Sequence, residues 1–244
     1  MSTTRTETVD VADGSFDARL TLPERGHGPG IVLIHEIFGV NAYITAVAER
    51  LADLGYVVAC PDLYWRIEPG AVLPQDEAGM GRAMDLVMQL DVNESADDCH
   101  ATLGHLSRLP EVTGGVAQMG FCLGGSLAFL AAALAGSEDE SVAPDCVVSY
   151  YGSLVPDAIE DLEDIACPVL FHFGGADPFI PRRKVALVEE AAASRPDVEV
   201  HVQDSGGHAF DNHLAPQFHH APSAKAAWDV TVAFLGRHLP VDGD

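Results

Sequence analysis

Three side chains, in the chain order cysteine, aspartate and histidine, are of the types that together carry out nucleophilic acyl transfer. Cys122 stands in the string GFCLG (120–124), which matches the G-x-S-x-G nucleophile elbow with cysteine in place of serine. Its two glycines would let a strand and a helix approach each other closely around a strained turn. A helix that begins there directs its positive end towards the sulfur and favours the thiolate. Glycine-flanked cysteines also occur as inert packing residues, but this string follows a predicted strand and precedes a predicted helix, as the elbow requires, so it predicts a nucleophilic cysteine.

A base and a group that orients it are expected on loops after later strands, in the order acid and then histidine. Asp177 in LFHFGGADPFIP and His208 in VQDSGGHAFDNH both follow stretches that are typical of buried strands. Asp177 could instead cap a helix or form a turn, since Ala-Asp-Pro is a good turn sequence. His208 is one of 11 histidines, but the spacing of the nearby His213, His219 and His220 matches no familiar set of metal ligands. We expect His208 to be the base and no metal to be bound.

The segment LIHEIFGVNAYI follows the first central strand. In proteins that have this nucleophile elbow, the loop after that strand contributes a second backbone amide to the site that binds the oxyanion. The amide of Ile37 is the candidate there, and the amide of Leu123 is the candidate at the elbow. Glu36 is a carboxylate at the end of a strand, where ligands of parallel sheets bind. Its alternative interpretation is a helix cap or a surface carboxylate.

Strands and helices alternate along the chain, which predicts a mainly parallel sheet covered by helices on both faces. The segment FDARLTLPE (16–24) is expected to be an antiparallel edge strand, and residues 1–12 are expected to be poorly ordered. No repeat or linker interrupts the pattern, so residues 1–244 are expected to form one α/β domain. The predicted strands are 30–36, 55–63, 115–121, 146–152, 167–175 and 198–207, and the predicted helices are 41–54, 76–108 with a break near DVNES, 122–136, 181–194 and 222–238.

Composition restricts the partners. The chain carries 37 acidic residues against 13 Lys and Arg, and its formal net charge of -24 is spread along the sequence. This charge argues against nucleic acid and anionic membranes as partners. With Lys184 and Lys225 as the only lysines, it indicates a surface adapted to high salt, and the alternative is an acidic protein from a mesophile. No apolar run approaches the roughly 20 residues that span a bilayer, and the first residues do not resemble a signal peptide, so we expect a cytoplasmic protein.

The five cysteines form no CxxC pair, so the sequence predicts neither a zinc site nor a disulfide framework.

With these residues in place, the chain resembles the dienelactone hydrolase family, also called carboxymethylenebutenolidases, over about residues 14–238. The shared motifs are HEIFGVN (35–41), CPDLY (60–64), LPQDE (73–77), GFCLGG (120–125), YYG (150–152), GGADPFIP (174–181) and GGHAF (206–210). The resemblance implies an α/β-hydrolase fold, a small-molecule ester or lactone as substrate, and chemistry that needs no cofactor.

The resemblance also implies roles for individual residues. It implies a triad of Cys122, His208 and Asp177, with the oxyanion held by the amides named above. Glu36 would interact with the resting thiol and help to generate the thiolate once substrate is bound, and Tyr151 would line the pocket.

Substrate binding is where the chain departs from the family. The members that cleave dienelactone hold its carboxylate with two arginines. Here Arg82, about two positions out of register with the first, and Asn212, in the neighbourhood of the second, are the candidates to bind substrate, with His213 as the alternative to Asn212. His35 stands where a family member has glutamine.

The sequence therefore leaves three functions open. They are a dienelactone hydrolase-like enzyme, a broader carboxylesterase or thioesterase, and a non-catalytic thiol-sensing or ligand-binding protein. It is equally compatible with a monomer and with a small homo-oligomer.

Overall fold

The structure, a computed structural model, describes residues 3–137 and 142–241, and within them eight strands alternate mostly with helices. The strands are β1 (Thr3–Val11), β2 (Gly14–Leu22), β3 (Gly28–Ile34), β4 (Val57–Pro61), β5 (Val112–Phe121), β6 (Cys146–Tyr150), β7 (Val169–Gly174) and β8 (Val198–Gln203). The helices are α1 (Ala42–Asp53), α2 (Glu77–Val87), α3 (Val92–Ser107), α4 (Leu123–Ser137), α5 (Arg182–Ala192) and α6 (Ala221–His238).

All eight strands belong to one sheet in the order β1-β2-β4-β3-β5-β6-β7-β8. Neighbouring strands from β4 to β8 run parallel, whereas β1 and β2 are antiparallel to their neighbours. The six predicted apolar strands and the mainly parallel α/β-hydrolase sheet are thus confirmed.

The amino-terminal segment differs from the prediction. Strand β2 is antiparallel as expected, but it is not the edge strand, because β1 pairs with it over its whole length from Thr3 opposite Leu22 to Val11 opposite Gly14. Residues 1 and 2 lie outside the described part of the chain, and residues 3–11 form a strand where poor order was expected. Their sequence is polar, but Val9 is buried and packs with Phe16, and the ladder of backbone hydrogen bonds holds the rest.

Helices cover both faces of the sheet. The crossover connection through α1 runs from β3 towards the β1 edge of the sheet, whereas the crossover connections through α4 and α5 run towards the β8 edge. Because such crossovers are right-handed, α1 lies on the opposite face from α4 and α5. Helix α6 shares the face of α1, since the guanidinium of Arg50 lies 3.6 Å from the ring centroid of Trp228. The predicted break in segment 76–108 is confirmed, because α3 starts anew at Asp91, whose carboxylate accepts hydrogen bonds from the amides of Asn93 and Glu94.

The sheet brings the ends of its central strands together. Ile34 at the end of β3 pairs with Gly120, and Phe121 at the end of β5 pairs with Tyr150 at the end of β6. These strand ends are buried, so each following loop begins from a fixed position on the same edge of the sheet.

Among the described residues, none of the helices combines the length and the apolar character that a membrane-spanning helix needs.

Candidate active site

The turn between β5 and α4 holds Cys122 in a strained backbone conformation. Its φ is 55°, in the left-handed region that non-glycine residues rarely adopt, and its amide donates a 3.0 Å hydrogen bond to the carbonyl of Tyr150. A Cβ atom on Gly120 would lie 2.0 Å from the Gly124 carbonyl oxygen, and one on Gly124 would lie 2.2 Å from the Ile34 carbonyl oxygen. The two glycines predicted to permit a close approach therefore do so, and no other residue fits at either position.

A continuous line of hydrogen bonds runs from the thiol to a buried carboxylate. His208 Nε2 lies 3.0 Å from Cys122 Sγ, and His208 Nδ1 lies 2.7 Å from Asp177 Oδ2. The other oxygen of Asp177 accepts hydrogen bonds from the amides of Phe179 and Ile180, at 2.8 and 3.2 Å. Asp177 therefore does form the turn that the sequence offered as an alternative, and the same turn fixes the carboxylate that faces His208.

The charge state of His208 depends on both of its neighbours. Burial by itself lowers the pKa of the imidazole, but negative charge on the Cys122 sulfur and the hydrogen bond to Asp177 outweigh burial and raise the pKa to about 10. The protonated imidazole is consequently favoured wherever the sulfur carries negative charge.

Backbone strain in the described residues gathers around His208. Besides Cys122, the non-glycine residues with positive φ are Tyr151 (38°) and Ala209 (56°). Ala209 follows His208 directly, and the ring of Tyr151 lies 5.2 Å from the imidazole between centroids. Such outliers persist only where the surroundings hold them in place, and they often mark functional sites.

Tyr151 does not occupy its predicted place in the pocket wall. It is fully buried beneath the imidazole and packs on Phe121, with 6.0 Å between ring centroids. It is absent from the residues that line the cavity above Cys122. Tyr151 therefore supports His208 from below.

Glu36 is neither a helix cap nor a surface carboxylate. Asn41, not Glu36, caps α1, and Glu36 is only 2% exposed. Its Oε2 accepts a 2.9 Å hydrogen bond from Asn212 Nδ2, whereas its buried Oε1 has no hydrogen-bond partner among the described residues. Burial raises the pKa of Glu36 to about 7, against the opposing effects of His208 and Asn212.

Side chains hold the two peptides on either side of Ile37. His35 Nδ1 donates to the Glu36 carbonyl at 2.5 Å, and the Tyr64 hydroxyl donates to the Ile37 carbonyl at 2.8 Å. His35 Nε2 accepts from the amide of Leu63 at 3.4 Å, and burial lowers the pKa of the ring, so His35 is neutral. Since the N–H and C=O of a trans peptide point in opposite directions, the Ile37 amide points away from His35.

Both predicted oxyanion amides are free of protein acceptors. Within the described chain, neither the Ile37 amide nor the Leu123 amide has a hydrogen-bond acceptor. Leu123 is the first residue of α4, where amides have no partner inside the helix. Both residues line the cavity above Cys122.

The cavity has a volume of about 450 Å³. Of the predicted site residues, Glu36, Ile37, Cys122, Leu123, His208 and Asn212 line it. Much of the remaining wall consists of large apolar side chains that the sequence analysis did not identify, among them Met80, Met84, Val87, Leu154, Phe179 and Phe218. The spacing of Met80, Met84 and Val87 along one helix is the signal that could have revealed this wall.

Arg82, predicted to bind substrate, lies outside the cavity. Two residues along a helix correspond to about 200° of rotation, so α2 turns Met80 and Met84 towards the cavity and Arg82 away from it. The exposed guanidinium of Arg82 forms an ion pair with Glu68. The prediction that Arg82 binds substrate is therefore wrong. It considered the position of Arg82 along the chain but not the direction in which α2 points its side chain.

Asn212 lies in the cavity wall, but its side chain is already engaged. Its amide nitrogen donates to Glu36, and its Oδ1 accepts from the amide of Leu214 at 3.1 Å. His213 does not line the cavity; its ring lies 5.9 Å from that of Tyr43 between centroids. Among the residues that the structure describes, no group of three or more His, Cys, Asp or Glu side chains could hold a metal ion.

Comparison with known proteins gives one consistent result. Residues 16–239 match the sequence profile of the dienelactone hydrolase family. A carboxymethylenebutenolidase of Pseudomonas sp. is 36% identical over 93% of this chain and 92% of its own, and one of Rhodococcus opacus is 34% identical over 89% and 84%.

Solved structures share the fold. A dienelactone hydrolase-like promiscuous phosphotriesterase from metagenomic libraries is 24% identical, has a TM-score of 0.79, and is matched over 97% of this chain and 98% of its own. A dienelactone hydrolase of Anabaena variabilis is 18% identical, has a TM-score of 0.69, and is matched over 98% and 99%.

The raised pKa of Glu36 predicts a pH-dependent stability. A buried acid with a raised pKa binds its proton more tightly in the folded state, so its contribution to stability is complete below pH 4.5 and is lost as pH rises through about 7. Gln at this position is neutral throughout. We expect the free energy of unfolding of Glu36→Gln, relative to wild type, to increase by roughly 3 kcal/mol between about pH 4.5 and 8. Urea denaturation across this range measures it, and parallel pH profiles for the two proteins would contradict it.

Proposed function

The chain belongs to the dienelactone hydrolase family and hydrolyses ester or lactone bonds, and we propose that Cys122, His208 and Asp177 carry out this reaction. The observation that carries the proposal is the line of hydrogen bonds from Cys122 Sγ through His208 to Asp177, at 3.0 and 2.7 Å. The identity of the group beside the scissile bond depends on the cavity wall, not on these three side chains.

In the first step, the thiol proton of Cys122 passes to His208 Nε2, directly or by way of Glu36, and the thiolate attacks the carbonyl carbon of the substrate. The electron pair of the C=O bond moves to oxygen, and the amides of Ile37 and Leu123 donate hydrogen bonds to the resulting oxyanion. Both residues line the cavity, and their amides have no acceptor in the described part of the chain, so they need not give up an existing bond. One such donor contributes about 10²- to 10³-fold in rate.

In the second step, the oxyanion collapses and the bond to the alkoxide leaving group breaks. The proton on His208 Nε2 passes to the alkoxide, which leaves a thioester on Cys122. His208 then takes a proton from water, the resulting hydroxide displaces the thiolate, and the carboxylic acid product leaves. Asp177 keeps Nδ1 protonated and the ring oriented throughout.

Glu36 would act on the resting thiol. Its Oε1 has no hydrogen-bond partner among the described residues, and it lines the same cavity as Cys122, so a carboxylate there could accept the thiol proton. The pKa of about 7 lets Glu36 exchange that proton near neutral pH.

The first prediction concerns the nucleophile. Cys122→Ala removes the attacking sulfur, so kcat/KM for p-nitrophenyl acetate should fall by at least about 10⁴-fold. Cys167→Ala is the matched control, because Cys167 is another free, partly exposed thiol and lies outside the cavity. Thermal melts should show that both variants fold. Substantial hydrolysis by Cys122→Ala, or reversible oxidation of Cys122 in a protein that cleaves no ester, would count against the proposal.

A second prediction concerns His35 as a positioning residue. His35→Leu removes the donor that orients the Glu36–Ile37 peptide, so kcat should fall by about tenfold to a hundredfold with little change in KM. His35→Gln retains an N–H donor and should restore most of kcat. If both variants lose activity only in proportion to a lowered melting temperature, His35 has a structural role alone.

A further inference from the structure

The wall of the cavity above Cys122 is apolar on two sides. Helix α2 presents Met80, Met84 and Val87, whose spacing of four and three residues places them on one helix face. Phe179 and Phe218 contribute aromatic rings from the loops after β7 and before α6. A substrate group that fills this space must itself be apolar, because these side chains offer no strong hydrogen-bonding groups.

Large apolar side chains in this wall also remain open to solvent. Phe179 is 67% exposed and Met84 is 45% exposed, although both line the cavity. The ring of Phe179 stands edge-on to His208, with 5.2 Å between centroids, so this exposed surface continues down to the proposed base. Contiguous exposed apolar surface of this kind marks a binding site for an apolar group.

Apart from His208, whose positive charge is already balanced by the Cys122 sulfur and Asp177, the described wall carries no positive side chain that could balance a substrate carboxylate. None of the described residues that line it is a lysine or arginine, and its one carboxylic acid is Glu36. The polar side chains Gln75, Ser153 and Asn212 are neutral. A carboxylate that entered would lose hydration without gaining a counter-charge that is not already paired, and would do so in a chain of net charge -24.

We propose that this enzyme selects uncharged esters or lactones that carry an extended apolar group, and that it rejects substrates with a carboxylate near the scissile bond. This inference rests on the proposed function and names its substrate class. The apolar group lies between the α2 face and the Phe179 ring, and the scissile carbonyl lies at Cys122.

The test compares p-nitrophenyl esters of matched shape. In the series acetate, butyrate and hexanoate, kcat/KM should rise by up to about fourfold for each added methylene that becomes buried. The 5-methylhexanoate ester and the monoester of glutaric acid have the same chain length and similar ends, one an isopropyl group and the other a carboxylate. The neutral ester should be cleaved at least about tenfold faster in kcat/KM.

Two variants of α2 test whether the wall causes this preference. Met84→Arg places a cation in the wall, so it should lower kcat/KM for the neutral ester and raise it for the glutarate monoester. Arg82→Met is the matched control, because Arg82 lies on the same helix but outside the cavity, and it should leave the preference unchanged.

The outcomes separate the two proposals. Equal or faster cleavage of the glutarate monoester, or no increase with chain length, would overturn the inference about substrate class while Cys122-dependent hydrolysis still supported the mechanism. If hydrolysis of every ester were unaffected by Cys122→Ala, the proposed function would fail, and the inference with it.

Discussion

The close approach of β3, β5 and α4 around Cys122 is the constraint on which the rest of the site depends. It leaves no room for a side chain at Gly120 or Gly124, and it fixes Cys122 in the left-handed region with its amide tied to the end of β6. Because the thiol position is thereby set, the loops after β7 and β8 need only place one side chain each to complete the line to Asp177 and His208.

Around this fixed thiol, burial determines the electrostatics. Glu36 lies buried in the cavity wall, with one oxygen bound by Asn212 and the other free of hydrogen bonds among the described residues. Burial raises its pKa, although the hydrogen bond from Asn212 opposes this rise. The pKa of His208 is also raised, because its negatively charged neighbours outweigh its own burial, which alone would lower it. Two titratable groups whose pKa values are both raised, one acid and one base, thus line the same cavity as the thiol, and perturbed pKa values of this kind are typical of active sites.

Prediction from the sequence succeeded where short-range constraints determine structure. The sequence alone predicted the close approach at the glycines around Cys122, the apolar strands, and the positions of Asp177 and His208 after strands. Each of these features follows from local sterics or from the order of the strands. Prediction failed where the direction of a side chain depends on packing. Arg82 faces away from the cavity because of the rotation of α2, and Tyr151 lies beneath the cavity because of its position at the end of β6. Strand β1 was missed because backbone pairing, not apolar pattern, holds it.

The most direct test of the central claim, that Cys122 carries the acyl group during turnover, is mass spectrometry of enzyme quenched in acid while it hydrolyses p-nitrophenyl butyrate. Peptide mapping should then find one butyryl group, attached to Cys122, in wild type and in Cys167→Ala. A larger acylated fraction is expected in His208→Ala if the first acylation still occurs, because that variant lacks the base that activates water. Turnover with Cys122 never acylated, or with the acyl group on another residue, would contradict the account.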